Sequence, residues 1–272
     1  MPELPEVETI RQDLRKRILR IKIREIEVKK KKLVRNSLNY FNKILKNNFF
    51  VDVERRGKLL IFILADKKNY LLTHLKMTGQ LVCSKRETKA DKHTHVIINF
   101  NDKTKLFFND LRQFGYMQIV NAMELEKIKA GYGIEPLTKN FTLEKFTEII
   151  KSKKLPIKAV IMDQTLIAGL GNIYADESCF QAGIYQLKKT NSLKDNEIKN
   201  LFQAINVVIK NAIKYRGSSV KDYVDAGGKR GDYVRFLKVY GRAGEKCLKC
   251  HSIIKKTKLG GRGTSYCPVC QK

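Results

Sequence analysis

The chain has 272 residues, 43% of them hydrophobic, which is enough for a sizeable core and for about two domains. Its formal charge of +28, from 55 Lys and Arg against 27 Asp and Glu spread along the whole chain, points to a large polyanion, because each phosphate neutralised releases counterions. No apolar run has the length of a membrane span, and the acidic opening MPELPEVET is unlike a secretion signal, so a cytoplasmic protein with no membrane partner is expected.

From Pro5 to about Arg20, apolar residues at Val7, Ile10, Leu14 and Ile18 recur at spacings of three and four, the signature of an amphipathic helix starting almost at the N-terminus. Residues 21 to 120 then read mainly as strands: IKIREIEV, FFVDVE, KLLIFIL, YLLTHLKM, HVIINF, KLFFND and GYMQIV, with one helix around Ser37 to Leu45. Short strands at this spacing suggest an antiparallel sandwich or barrel. A glycine- and proline-containing stretch at 131 to 140, GYGIEPLTKN, breaks the pattern as a linker would.

Helices are predicted over 142–151, 156–163, 173–182 and 193–213. The last opens with Ser192 and Asp195 in a capping-box-like arrangement and carries Ile198, Leu201, Ile205 and Val208 on one face. Between two of these helices lies IAGLGN, where Gly169 and Gly171 allow a tight turn and Asn172 is expected to cap a helix whose N-terminal amides suit a phosphate. A plain helix–helix turn is the other reading of the same residues.

Cys247, Cys250, Cys267 and Cys270 have the spacing C-x2-C-x16-C-x2-C of a four-thiolate zinc ribbon, and one structural Zn2+ is expected. Cys83 and Cys179 read as small buried hydrophobes. Between the two CxxC pairs, LGGRG sets Arg262 in a glycine turn suited to a hairpin tip that meets a phosphate or the minor groove. Residues 225 to 272 are too few to fold well without their metal.

MPELPEVETI, DLRQFG, IAGLGNIYADE and GGRGTSYCPVC occur in this order, and together they resemble the bacterial formamidopyrimidine-DNA glycosylase family over nearly the whole chain. The resemblance implies an α+β multidomain protein. Residues 1–131 would form an N-terminal catalytic β-sandwich with an N-terminal helix, 132–224 a helix-two-turn-helix DNA-binding domain, and 225–272 a zinc finger built on a β-hairpin, with DNA in the cleft between the halves. It further implies a monomeric enzyme associated with the nucleoid through double-stranded damaged DNA. Its activity would be base excision repair: a glycosylase that removes 8-oxoguanine and formamidopyrimidines, and a lyase that cuts abasic sites by β,δ-elimination.

The residues carry that chemistry. Removal of Met1 leaves Pro2 with a secondary α-amine; terminal amines titrate at about 7.7–8.0 against about 10.4 for lysine, so more of the amine is neutral near pH 7. Attack on the sugar C1′ by a secondary amine gives an iminium that is always cationic, a ready electron sink for elimination. Glu3 resembles the family's general acid or base, Lys58 its catalytic lysine beside the lesion phosphate, and Glu6 a contact to the lesion base. Carboxylates in a first helical turn also simply favour the helix dipole.

His74, Asn172 and Arg262 resemble the backbone clamp. His93 and His95 read as structural, with His95 also carried among the DNA-contacting candidates. Met77, Arg112 and Phe114 resemble the set that fills the void left by a flipped nucleotide: Arg112 reads an estranged cytosine, Phe114 wedges, Met77 adapts. Their alternative is a place in strand cores. Ser218, Ser219, Lys221 and Tyr223, in GSSVKDY, resemble the loop over the flipped base only in part, and Lys76 stands where the family commonly has arginine. The related endonuclease VIII branch usually lacks the leucine of MPEL and the Met-Arg-Phe set, so oxidised purines are the expected substrates. Charge and cysteines alone also suit a non-catalytic zinc-ribbon binder, which leaves Pro2-Glu3 unexplained.

Overall fold

Helix α1 spans Leu4–Arg17 and buries Leu4, Val7, Ile10 and Leu14 along one stripe, each at most 1% exposed. Full burial of each such side chain is worth about 1.5–3 kcal/mol, which holds the amino terminus by packing. The computed structural model describes residues 1–84 and 89–272. They divide into two compact units, residues 1–130 with 215–232, and residues 131–214 with 233–272. The fold is α+β.

In the first unit, β1 (Ile23–Val28), β2 (Phe50–Arg56), β3 (Leu59–Leu64), β4 (Asn69–His74), β5 (Gly79–Ser84), β6 (Thr94–Phe100), β7 (Lys105–Asp110) and β8 (Tyr116–Asn121) form two antiparallel sheets, ordered β1-β6-β7-β5 and β2-β3-β4-β8. Their inner faces and α1 share one apolar core that includes Phe50, Phe62, Phe100 and Phe108. Strand β5 departs from the sequence expectation. YLLTHLKM reads as one strand, but the chain leaves its sheet at His74, turns tightly through Leu75 to Thr78, and enters the other sheet at Gly79. A side chain at Gly79 would lie 2.4 Å from the Leu75 carbonyl oxygen, so only glycine permits this turn. Helix α2 (Leu38–Leu45) is where expected, whereas α3 (Ala122–Ala130) buries only Leu125 and leaves too weak an apolar stripe to read.

In the second unit, α4 (Leu143–Lys151), α5 (Ile157–Met162), α6 (Asn172–Ala182) and α7 (Asp195–Lys214) follow the expected order, and β9 (Lys255–Leu259) pairs with β10 (Arg262–Tyr266) as a hairpin. Two expected caps are corrected. The Ser192 hydroxyl donates to the Lys189 carbonyl and closes a short turn, while the Lys194 N–H donates to the Glu197 carboxylate at the start of α7. Gly171, not Asn172, is the N-cap of α6. Residues 215–224, which the sequence reading groups with the helices, pack in the first unit. Among the described residues no helix is long and apolar enough to cross a membrane.

Candidate active site

Pro2 is buried and Glu3 is the N-cap of α1, 2% exposed. The Glu6 carboxylate accepts the Glu3 N–H at 2.8 Å, a capping box built from two glutamates where Ser or Thr commonly leads. Lys58, 5% exposed, sits at the turn into β3. Glu3, Glu6, Lys58 and Asp222 all lie close enough to act electrostatically on the amino terminus. Burial lowers the pKa of the Met1 amine there; Glu3, Glu6 and Asp222 oppose the shift and Lys58 adds to it. Asp222 escaped the sequence reading, because only tertiary structure brings it to this end of α1.

Glu6 serves as an internal strut. It is 1% exposed, and its other oxygen accepts the Ser218 N–H at 2.7 Å. Gly217, at φ +80, passes so close that a Cβ would lie 2.7 Å from this oxygen. Tyr223, 7% exposed within the core, donates its hydroxyl to the Arg216 carbonyl. Ser219 donates to the Tyr223 carbonyl and accepts the Gly231 N–H, so both serines of the loop are buried in its own framework. Of the four loop candidates, Lys221 alone is exposed. The segment is held further by Arg216, whose guanidinium bridges Asp13 of α1 and Asp225.

His74 closes β4. Its Nδ1 accepts the Lys76 N–H at 3.0 Å, so the neutral ring carries its proton on Nε2 and can donate from there. Burial, then Lys76, Lys58 and Arg35, bring its pKa down to about 3. Arg35, unremarked in the sequence, lies 3.4 Å from the Tyr116 ring centroid, and that ring neighbours His74. His95 is 2% exposed and its Nε2 donates to the Asp110 carbonyl at 2.9 Å, so it holds a strand end inside the unit.

Met77, Arg112 and Phe114 are not strand core. Met77 is 41% and Phe114 55% exposed, on turns where large apolar side chains do not otherwise belong, and the Arg112 guanidinium lies 4.7 Å from the Phe114 ring centroid. Leu111, 54% exposed, joins them without having been singled out. Beneath them Asp110, fully buried, takes the Thr78 hydroxyl and the Arg112 N–H on one oxygen and the Gly115 N–H on the other.

In the second unit, the Asn172 Nδ2 donates to the Gly263 carbonyl at 3.0 Å and so lies beside Arg262, which is exposed at the start of β10. A buried network fixes this hairpin. Lys158 pairs with Asp176 at 2.7 Å and donates to the Thr264 hydroxyl; Asp176 accepts the Ser265 N–H, and Gln186 donates to both Asp176 and the Ser265 carbonyl. Glu177 accepts three consecutive backbone N–H groups, of Lys238, Val239 and Tyr240.

The four ribbon thiols, of Cys247, Cys250, Cys267 and Cys270, lie within 4.8 Å of one another. Burial opposes ionisation of Cys267, yet the Ser252 hydroxyl and the N–H groups of Cys270 and Val269 outweigh it and bring the thiol to about 6. Four thiolates in this space repel unless a divalent cation joins them, and a tetrahedral all-sulfur set suits zinc. The ribbon is a site for one structural zinc.

The chain is similar to known proteins along its whole length. Residues 1–117 match the formamidopyrimidine-DNA glycosylase N-terminal domain, 132–224 the formamidopyrimidine-DNA glycosylase H2TH domain, and 244–272 a zinc finger found in FPG and IleRS. Over 100% of both chains, the sequence is 41% identical to the formamidopyrimidine-DNA glycosylase of Carboxydothermus hydrogenoformans and 42% identical to that of Listeria innocua. A Lactococcus lactis FPG variant in complex with DNA containing Fapy-dG superposes with a TM-score of 0.94 at 37% identity over 100% of both chains. The Lactococcus lactis Fpg complex with DNA containing an abasic site gives 0.93 at 38% over 99% of each. The chain belongs to the formamidopyrimidine-DNA glycosylase family.

Proposed function

We propose that this protein is a bifunctional DNA glycosylase and abasic-site lyase of base excision repair that removes oxidised purines, 8-oxoguanine and formamidopyrimidines, from duplex DNA. It works as a monomer in the cytoplasm, associated with the nucleoid through DNA. The observation that carries the reading is a buried Pro2-Glu3 terminus at which Lys58 acts electrostatically on the chain's amino end. The functional division follows 1–131 for catalysis, 132–224 for DNA binding and 225–272 for the zinc finger.

After loss of Met1, the Pro2 nitrogen attacks C1′ of a flipped nucleotide. The N–C1′ bond forms as the glycosidic bond breaks, and the base leaves with that electron pair and a proton. Glu3 protonates the sugar ring oxygen as the ring opens, and the cationic iminium then accepts electrons when the C2′ proton is removed and the 3′ phosphate departs. A second elimination releases the 5′ phosphate. Lys58 holds the phosphate beside the lesion, and His74 donates through Nε2 without adding charge. Asn172 and Arg262 contact further phosphates, while Met77, Arg112 and Phe114 occupy the space the lesion vacates. Zinc, when bound to its four cysteines, cross-links the ribbon that presents Arg262.

Borohydride reduction in the presence of 8-oxoguanine duplex tests the reading. A covalent protein–DNA adduct mapping to Pro2 is expected, and it should vanish when Met1 removal is blocked. Absence of any adduct from the zinc-loaded protein overturns the proposal in favour of a non-catalytic binder.

A further inference from the structure

Asp110 does more than end a strand. It is 0% exposed, the last residue of β7, and pairs in register with Gly79 at the start of β5. One carboxylate oxygen takes the Thr78 hydroxyl and, at 3.2 Å, the Arg112 N–H, while Thr78 in turn accepts the same N–H at 2.9 Å. The other oxygen takes the Gly115 N–H at 2.7 Å, and the Asp110 carbonyl is held by His95 at 2.9 Å and by the Gln113 N–H at 3.3 Å. A single buried carboxylate therefore joins the turn bearing Met77 to both ends of the turn bearing Arg112 and Phe114.

The geometry points to Asp110, acting through Thr78, as the positioning residue that presets Met77, Arg112 and Phe114 for insertion into the duplex. This rests on the glycosylase reading above. The two turns belong to different strand connections, and their exposed side chains have little packing of their own to fix them: Met77 is 41% and Phe114 55% exposed. Gln113 at φ +57 and Lys76 at φ +50 show that both turns adopt left-handed backbone at non-glycine residues, which needs outside bracing. Hydrogen bonds to a buried carboxylate supply it, because such bonds are stronger and more directional than neutral ones. Insertion by preset side chains spares the ordering cost that flexible ones would incur on the DNA.

Asp110→Asn is the informative change, since it keeps shape but turns one acceptor into a donor. In either amide orientation an N–H is set against the N–H of Gly115 or of Arg112. Thr78→Val removes the hydroxyl link, and Thr78→Ser restores it. The full zinc-loaded chain is mixed with an 8-oxoguanine duplex carrying 2-aminopurine beside the lesion, whose fluorescence rises as the stack opens. In parallel, borohydride trapping is measured at a preformed abasic site in single-stranded DNA, where no stack has to be opened.

For Asp110→Asn and Thr78→Val the fluorescence rise and the single-turnover rate of base release are expected to fall about tenfold, the scale of one lost charge-assisted hydrogen bond. Single-strand trapping should stay within about twofold of the unsubstituted chain, and Thr78→Ser should recover the duplex activity. Unchanged fluorescence in both variants overturns the proposal, as does a parallel fall in single-strand trapping, which would mark general loss of structure. If the unsubstituted chain itself traps nothing, the glycosylase reading fails first, and that result is distinct from a failure of the brace.

Discussion

Oε1 of Glu6 accepts the backbone N–H of Ser218 at 2.7 Å across 212 residues of sequence, so the first turn of α1 and the segment after α7 share one carboxylate. Because Oε2 accepts the Glu3 N–H, anything that disturbs this loop reaches the residue beside Pro2, the proposed nucleophile. Glu6→Ala leaves both N–H groups buried without these acceptors, at an expected cost of about 2–4 kcal/mol, and Glu6→Gln should cost roughly half as much. Hydrogen exchange at the Ser218 amide reports this directly. Protection equal in all three proteins would remove Glu6 from this role.

His74 makes stability depend on acid. Its folded pKa of about 3 lies below the ordinary value of 6.5, so between these limits the unfolded chain binds the proton and the folded chain does not. Stability is therefore present above about pH 6.5 and is lost progressively as pH falls towards 3. His74→Gln should remove up to about one proton from this slope. Above pH 6, DNA affinity should show no step that belongs to His74, since the ring stays neutral. Titration of binding for the parent and the variant checks it: a ratio that changes with pH would show that His74 carries charge.

Lys158 and Asp176 are 1% and 0% exposed, so removing one partner strands the other. Lys158→Met should destabilise the second unit by about 3–5 kcal/mol, and Asp176→Asn added to it should recover part of the loss. Burial already raises the Asp176 carboxyl to about 6 against the pull of Lys158. Without the lysine it rises further. The folded state then holds a proton that the unfolded chain gives up near 3.8, so the variant should lose least in acid and progressively more as pH rises. Thermal unfolding across pH measures this, and a loss independent of pH would contradict it.

Metal analysis should find close to one zinc per chain, and a strong chelator should unfold the ribbon and weaken DNA binding together. Arg262→Gln should leave zinc in place yet shallow the salt dependence of binding by about one charge. An unchanged slope would mean that the hairpin tip meets no phosphate.

Much of this protein is legible in its sequence, for reasons that are local. The apolar spacing of Val7, Ile10 and Leu14 dictates α1, short apolar runs such as KLLIFIL bounded by turn residues dictate strands, and the paired CxxC knuckles dictate a metal ribbon, because each pattern acts over a few residues. The proposed roles of Pro2, Glu3 and Lys58 are legible through the resemblance of the motifs that carry them to the family's. Where Glu6, Tyr223 and His95 would point was not legible, since their hydrogen-bond partners are Ser218, Arg216 and Asp110, distant in sequence or around a turn. Strand β5 was hidden too, because the turn before it depends on the close approach of Gly79 to Leu75 and on a change of sheet. Periodicity determines which face of an element is buried; only the assembled chain decides which buried polar atoms meet, because burial leaves each such atom in need of a specific partner.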